Sequence, residues 1–140
     1  MALLTREAIQ QKRPLEVVEV NVTELGNIIN HETGERERTT VFVRELTVRE
    51  KGAFEQSLLK RKGRGKKETV EYQQQDMRAR LVIATCCDAD GNLIFCSDDF
   101  DHINALPYKV LERICTAART LNDMLNEHEK EEDEEETVKN

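Results

Sequence analysis

A β-rich segment runs directly into a helix start at residues 39–50, which read TTVFVRELTVRE. Its first eight residues are rich in β-branched side chains that alternate between two faces, a pattern typical of a strand. Thr47 and Glu50 then have the spacing of a capping box, in which the threonine hydroxyl accepts from a backbone amide and the glutamate reaches back. The segment therefore predicts a strand over 39–46, followed by a helix from Thr47 to about Leu59.

The residues before this junction extend the β pattern. Thr5 can cap a short helix over residues 6–12, and LEVVEVNV at residues 15–22 predicts a strand antiparallel to the first. The connection over residues 23–38 is long for a hairpin and has room for a turn of helix.

The residues after the junction are predicted to be mainly helical. Helical patterns resume near Glu68 and run to about Cys87, and the tight turn DADGN follows at residues 88–92. A short helix capped by Ser97 or Asp98 comes next. The helix after Pro107 has the clearest periodicity, with apolar residues at 4-3-4-3 spacing.

Together these elements predict an α+β fold that is mostly helical, with a small N-terminal antiparallel β element from residues 15–46. The domain is expected to cover residues 1–126. Residues 127–140 hold eight acids and two lysines, a net charge of −6, and have almost no apolar content to bury, so they are expected to form a disordered acidic tail.

Charge is unevenly distributed along the 140 residues, whose net charge is −7. The segment KRKGRGKK at residues 60–67 carries six positive charges within an otherwise balanced body. Two glycines and six like charges disfavour a packed element, so we expect a mobile, solvated loop. A site for an acidic segment of a protein partner is the functional alternative for this loop.

The sequence argues against several classes of protein. No apolar run approaches the roughly 20 residues of a membrane helix, and the N-terminus lacks the apolar region of a signal peptide, so a cytoplasmic protein is expected. The cysteines have no C-x-x-C spacing and are predicted to be buried reduced thiols, at positions Cys86, Cys87, Cys96 and Cys115.

The acidic segment DADGNLIFCSDD, residues 88–99, does not fit a calcium loop, because Gly91 stands at loop position four rather than six. The nearby group Asp98, Asp99, Asp101 and His102 is better explained as a helix start, where acids complement the helix dipole. No phosphate loop or nucleophile motif accompanies the cysteines and histidines. We therefore expect no metal, no cofactor and no enzymatic activity.

The order of motifs resembles the siphophage and prophage tail assembly chaperones. VFVRELTVREKGAFE at residues 41–55 is similar to the opening of that family, and residues 79–122 follow its later pattern. That pattern is an Ala-Arg-rich helix, a D-x-D-G turn, Leu-x-Phe, acidic residues, a Leu-Pro break and a helix ending in Leu-Asn. The segments 23–38 and 60–67 depart from it, and the acidic tail lies outside it.

The resemblance implies a non-enzymatic chaperone that binds the tape-measure protein and keeps it soluble while tail-tube subunits are recruited. It implies action in the host cytoplasm, absence from the mature virion, and tape-measure and tail-tube proteins as partners, with self-association plausible. Binding to a membrane is not expected, and binding to nucleic acid is unlikely.

A partner surface is expected on any part of the last helix's apolar stripe that the fold leaves uncovered. Such a stripe can pack on a core or on a partner helix. The candidate residues are Val110, Ile114, Leu121 and Met124.

Two other functions stay open from the sequence. One is a structural head–tail connector or minor tail protein, which would persist in purified particles. The other is a small nucleic-acid-binding regulator that uses residues 60–67 on phosphates, although this segment has no aromatic residue to stack on bases.

Overall fold

The computed structural model describes residues 1–26 and 29–125, and in these ranges the chain has a mixed α+β fold of helices and two small antiparallel sheets. The predicted disordered tail at 127–140 and the turn residue Asn27 lie outside the described residues. The helices are α1 (Arg6–Gln10), α2 (Val48–Ser57), α3 (Met77–Thr85), α4 (Phe100–Asn104) and α5 (Tyr108–Leu121). The strands are β1 (Val17–Asn21), β2 (Thr40–Arg44), β3 (Leu59–Lys62), β4 (Thr69–Tyr72) and β5 (Cys86–Cys87).

The larger sheet has the strand order β1-β2-β5, with both pairs antiparallel. Val43 of the central strand pairs with Val18 on one side and Cys86 on the other, and it is fully buried. β1 and β2 lie within the segments predicted to be strands, whereas β5 comes from the end of the segment predicted to be helical. The connection between β1 and β2 contains one 3-10 turn, Thr23–Leu25, as its length had suggested.

The junction between β2 and α2 has the predicted capping box. The backbone N–H of Glu50 donates to Thr47 Oγ1 at 3.2 Å, and the N–H of Thr47 donates to Glu50 Oε1 at 3.0 Å. Both bonds satisfy amides that have no partner inside the helix. The capping box therefore sets the residue at which the strand becomes a helix.

The core lies where α5 packs across β1 and β2 and against α3. Apolar side chains from all the larger elements meet there, and Ala79 and Ala118 are fully buried, which lets the backbones of α3 and α5 approach closely. The main buried residues are Val20, Val43, Phe54, Leu58, Leu81, Val82, Ile103, Val110, Leu111, Ile114 and Cys115.

The predicted mobile loop at residues 60–67 was wrong, and the predicted helix from Glu68 to Cys87 was confirmed only over Met77–Thr85. β3 and β4 form a hairpin instead, with a 3-10 turn at Gly65–Lys67, and α3 begins only at Met77. Gly63 has φ +87°, and a Cβ there would collide with the Lys67 carbonyl, so glycine permits the tight reversal. Two ion pairs within the hairpin partly offset the like charges: Lys62 with Glu71 at 3.0 Å and Arg61 with Glu68 at 3.7 Å.

The start of the helical segment that leads into α4 also differs from the prediction. The residue at the N-cap is Cys96, not Ser97 or Asp98, and its backbone N–H donates to Asp99 Oδ2 at 2.9 Å. That position also leaves Cys96 exposed, contrary to prediction, whereas the other three cysteines are buried thiols. Burial raises the pKa of Cys86 and that of Cys115 to about 12.

None of the helices in the described ranges is long and apolar enough to cross a membrane.

Asn122 fastens the end of α5 to the end of β2. Its side-chain oxygen accepts from the Leu46 N–H at 2.7 Å, and its amide group donates to the carbonyls of Arg44 and Ala118 at 3.3 and 3.0 Å. One polar side chain thus holds the β2–α2 junction against the last helix.

We predict that Asn122→Ala lowers the free energy of unfolding by about 1–3 kcal/mol, because it leaves the Leu46 N–H without its partner. Urea denaturation followed by circular dichroism measures the change. Asn104→Ala is the matched control, since Asn104 is exposed at the end of α4, and it should change stability by less than about 0.5 kcal/mol. Equal losses in both variants would contradict the anchoring role.

Arg113 of α5 holds the 3-10 turn after β1. Its guanidinium donates to both carboxylate oxygens of Glu24, at 3.0 and 2.7 Å, and to the Asn21 carbonyl at 2.8 Å. The pKa of Glu24 is lowered to about 2, and the hydrogen bonds from Arg113 are the main cause.

A pH titration should reveal this pair. Because the pKa of Glu24 is lowered in the folded state, its stabilising contribution is complete above the ordinary pKa of 4.5 and is lost as the pH falls through about 2. Carboxyl-carbon NMR should give the low pKa in the native chain and a value near the ordinary one in Arg113→Gln. Arg36→Gln is the control, since Arg36 has a smaller effect on the pKa of Glu24, and an unchanged pKa in Arg113→Gln would contradict the assignment.

Candidate partner-binding groove

The apolar stripe of α5 is divided between the core and the surface. Val110 and Ile114, both from the predicted partner surface, are 2% and 3% exposed and belong to the core. Leu121 and Met124 are only partly buried and pack against the edge of that core. The fold therefore leaves the C-terminal end of the stripe as the part accessible to a partner.

Met124 lines an open groove of about 530 Å³, which we call the hairpin groove. Its walls are the second half of α2, the base of the β3–β4 hairpin, the start of α3 and the segment after α5. The lining residues are Lys51, Phe54, Glu55, Gln56, Leu58, Leu59, Tyr72, Met77 and Met124.

The hairpin groove forms because β3 follows α2 almost without a linker. Leu58 ends the helix and is 2% exposed, and its carbonyl accepts from the Gln73 N–H at 2.6 Å, which closes the base of the hairpin. On the other strand, the Tyr72 hydroxyl donates to Met77 Sδ at 3.5 Å. These two contacts fix the hairpin base between α2 and α3.

The two faces of the hairpin differ in polarity. Residues paired across antiparallel strands share a face, so Leu59 lies beside Tyr72 and Arg61 beside Val70 on one side. Leu59, Val70 and Tyr72 are 39%, 55% and 55% exposed. Because Leu59 and Tyr72 also line the hairpin groove, this face extends the groove outward as an apolar strip.

The opposite face and the tip are basic. Lys60 and Lys62 share the opposite face with Glu71 and Thr69, and the turn adds the exposed cations Arg64, Lys66 and Lys67. The exposed hairpin thus has two different faces. The face with Leu59, Val70 and Tyr72 adjoins the groove, and the face with Lys60 and Lys62 is on the opposite side of the strands.

A second, smaller groove lies on the other side of α2. It has a volume of about 270 Å³, and Phe54 contributes to both grooves. The guanidinium of Arg80, at its edge, lies 4.8 Å from the centre of the Phe100 ring. Its remaining lining residues are Glu50, Ala53, Ser57, Ile83, Ala84, Leu93, Phe95 and Ser97.

The acidic turn after β5 is accounted for by its own hydrogen bonds. Asp88 Oδ1 accepts from the N–H groups of Asp90 and Asn92 at 2.9 and 3.0 Å, and backbone donation, chiefly from Asn92, lowers the pKa of this carboxyl. This geometry confirms the tight turn predicted at residues 88–92. Within the described ranges, no three acidic, cysteine or histidine side chains come together as a metal site would require.

Sequence reasoning missed the hairpin groove, although a signal was present. The segment TVEY at 69–72 alternates between polar and apolar residues, and a turn with two glycines separates it from LKRK at 59–62. That combination is typical of a hairpin. The six positive charges drew the interpretation toward a loop instead.

Comparison with curated proteins and with solved structures finds no match to this chain. A family model described as phage tail assembly chaperone matches residues 31–139 and so includes every element from β2 to α5. This match confirms the family resemblance carried by residues 41–55 and 79–122. The chain belongs to the phage tail assembly chaperone family.

Proposed function

We propose that the protein is a non-enzymatic chaperone of tail assembly that binds the tape-measure protein and keeps it soluble. In this proposal it also helps to recruit tail-tube subunits, acts in the host cytoplasm and leaves before the virion is complete. Family membership supports a role in tail assembly. The hairpin groove is the observation that carries the choice of a helical, apolar partner.

The groove suits the apolar face of a helix. A long helix with exposed apolar residues aggregates unless another surface covers it, and an amphipathic helix is commonly covered by an apolar groove. Here Phe54 and Leu58 line the groove, and the exposed apolar strip of the hairpin makes the groove longer. Met77 and Met124 stand at its edge, and unbranched methionine side chains adapt to partners of varied sequence.

This assignment revises the partner surface expected from the sequence. Of the four candidate residues, Val110 and Ile114 serve the core, so the proposed surface retains Leu121 and Met124 and adds Leu59, Val70 and Tyr72. Release needs no hydrolysis in this scheme, because tail-tube subunits that bind the same partner compete for it. Several chaperone copies on one long partner would allow contacts between copies.

The test is co-expression with the tape-measure protein of the same phage and measurement of the soluble partner. We expect Val70→Glu to reduce the soluble fraction and to weaken binding about tenfold or more, because it places a charge in an apolar contact. The fold should survive, since residue 70 faces Arg61 across the hairpin and the new carboxylate gains a cation. Met124→Glu should act in the same direction.

Thr69→Glu is the matched control. It introduces the same side chain one residue away, on the other face of the same strand and opposite Lys62. Partner solubility should therefore stay at the native level. If Val70→Glu and Met124→Glu both solubilise the partner as well as Thr69→Glu does, neither the hairpin groove nor its apolar strip is the binding surface. Recovery of the chain in purified particles would instead favour a structural virion protein.

A further inference from the structure

We propose that the acidic segment at residues 127–140 docks on the cationic face and tip of the β3–β4 hairpin of the same chain and so occupies the site that the hairpin would otherwise offer to an acidic segment of a partner. The contact itself needs no partner protein and does not rest on the proposed function.

The hairpin has a surplus of positive charge that the described residues do not neutralise. Residues 60–71 contain six cations and two glutamates, a difference of +4. The two glutamates pair with Arg61 and Lys62. The other cations form no ion pair with any residue in the described ranges, and all are exposed: Lys60, Arg64, Lys66 and Lys67.

The fold itself does little to hold these charges together. Every residue of β3 and β4 is exposed, so the strands are not packed into the core. A two-stranded hairpin in water is marginally stable, and its cations are crowded into β3 and the turn, where they repel one another. An anionic segment that lies along β3 and the turn would relieve that repulsion.

The described chain ends beside this hairpin. After α5, Asp123 adopts a positive φ of 52°, and the Met124 N–H donates to the Arg119 carbonyl at 2.8 Å, which turns the chain. Met124 then lines the groove together with Leu59 and Tyr72, the residues at the base of the hairpin. Three further residues can span at most about 11 Å, so the chain after Met124 comes within reach of the hairpin before the acidic segment begins.

Reach and charge both fit this contact. The 14 residues from 127 to 140 can span up to about 50 Å when extended, whereas a four-residue strand is about 14 Å long. The segment has a net charge of −6 against the +4 of the hairpin. A short tether gives an effective concentration of about millimolar, so weak ion pairs suffice for a contact within one chain. Such pairs are sensitive to salt and easily displaced.

Zero-length carbodiimide cross-linking of the full chain, alone in solution, tests the contact. The reagent joins an amine to a carboxylate only when the two touch, and mass spectrometry identifies the joined residues. We expect Lys60, Lys66 or Lys67 to be joined to acids within residues 131–136. The yield should fall several-fold when the salt concentration is raised from about 0.05 M to about 0.5 M, because screening weakens exposed ion pairs.

Controls within the same chain make the result decisive. The Lys51–Glu55 pair, whose Nζ and Oε1 atoms are 3.4 Å apart, should cross-link and shows that the reaction works. Lys12 and Lys109 are exposed lysines outside the hairpin and should give far lower yields with residues 131–136. A mixture of ¹⁴N- and ¹⁵N-labelled chains distinguishes one chain from two, and the proposal requires products of a single isotope.

Three outcomes would overturn the proposal: no hairpin cross-link where Lys51–Glu55 reacts, equal yields at Lys12 and Lys109, or products of mixed isotope that indicate a second copy. Because no tape-measure protein is present, each of these outcomes leaves the proposed chaperone function standing. Conversely, loss of partner binding in the groove variants would not affect this measurement.

Discussion

The carboxylate of Glu50 fixes the junction on which the rest of the fold depends. One of its oxygens accepts from the Thr47 N–H, and the other forms an ion pair with Arg44 at the end of β2. Arg44 in turn donates to the Gly91 carbonyl at 3.0 Å, which ties in the turn after β5. Since Arg44 and Glu50 are both partly buried, removal of either would leave the other charge without its partner in a poorly solvated place.

The direction of α2 from this junction determines where both grooves lie. Asn122 holds the end of α5 against the same junction through the Leu46 N–H, so helix and sheet cannot shift independently. Because the start of α2 is fixed, Leu58 at its end packs in the core. The β3–β4 hairpin, which begins at the next residue, then lies at the surface. Phe54 separates the two grooves because it lies on the buried face between them. The position of both grooves is therefore a consequence of how one helix begins.

Most of the fold could be predicted because its signals are local. The capping box, the β-branched strands and the 88–92 turn each depend on residues close together in the chain, and each was found where expected. The hairpin at residues 59–72 was missed because only residues 69–72 alternate and because six like charges favoured a loop. The ion pairs that offset those charges are visible only in three dimensions. The division of the α5 stripe was likewise unpredictable, since periodicity identifies an apolar face but not what covers it.

That division follows from how few apolar residues the chain has. Apolar side chains make up 38% of the residues and aromatic ones 4%, so the best stripe, on α5, is needed to cover the sheet. The proposed partner surface therefore uses side chains that the core does not need. Val70 and Tyr72 are available for it because the hairpin that carries them stands outside the core, with its base fixed beside α2.

The same arrangement separates the two contributions to recognition. In the proposed function, apolar contact in the groove would supply most of the affinity, whereas the cations on the opposite face and tip of the hairpin would act over longer distances, on the rate and selectivity of encounter. Because successive residues of each four-residue strand point to opposite faces, the hairpin can offer an apolar contact and a basic contact to different ligands at the same time. One exposed element therefore provides both kinds of contact without using residues of the core.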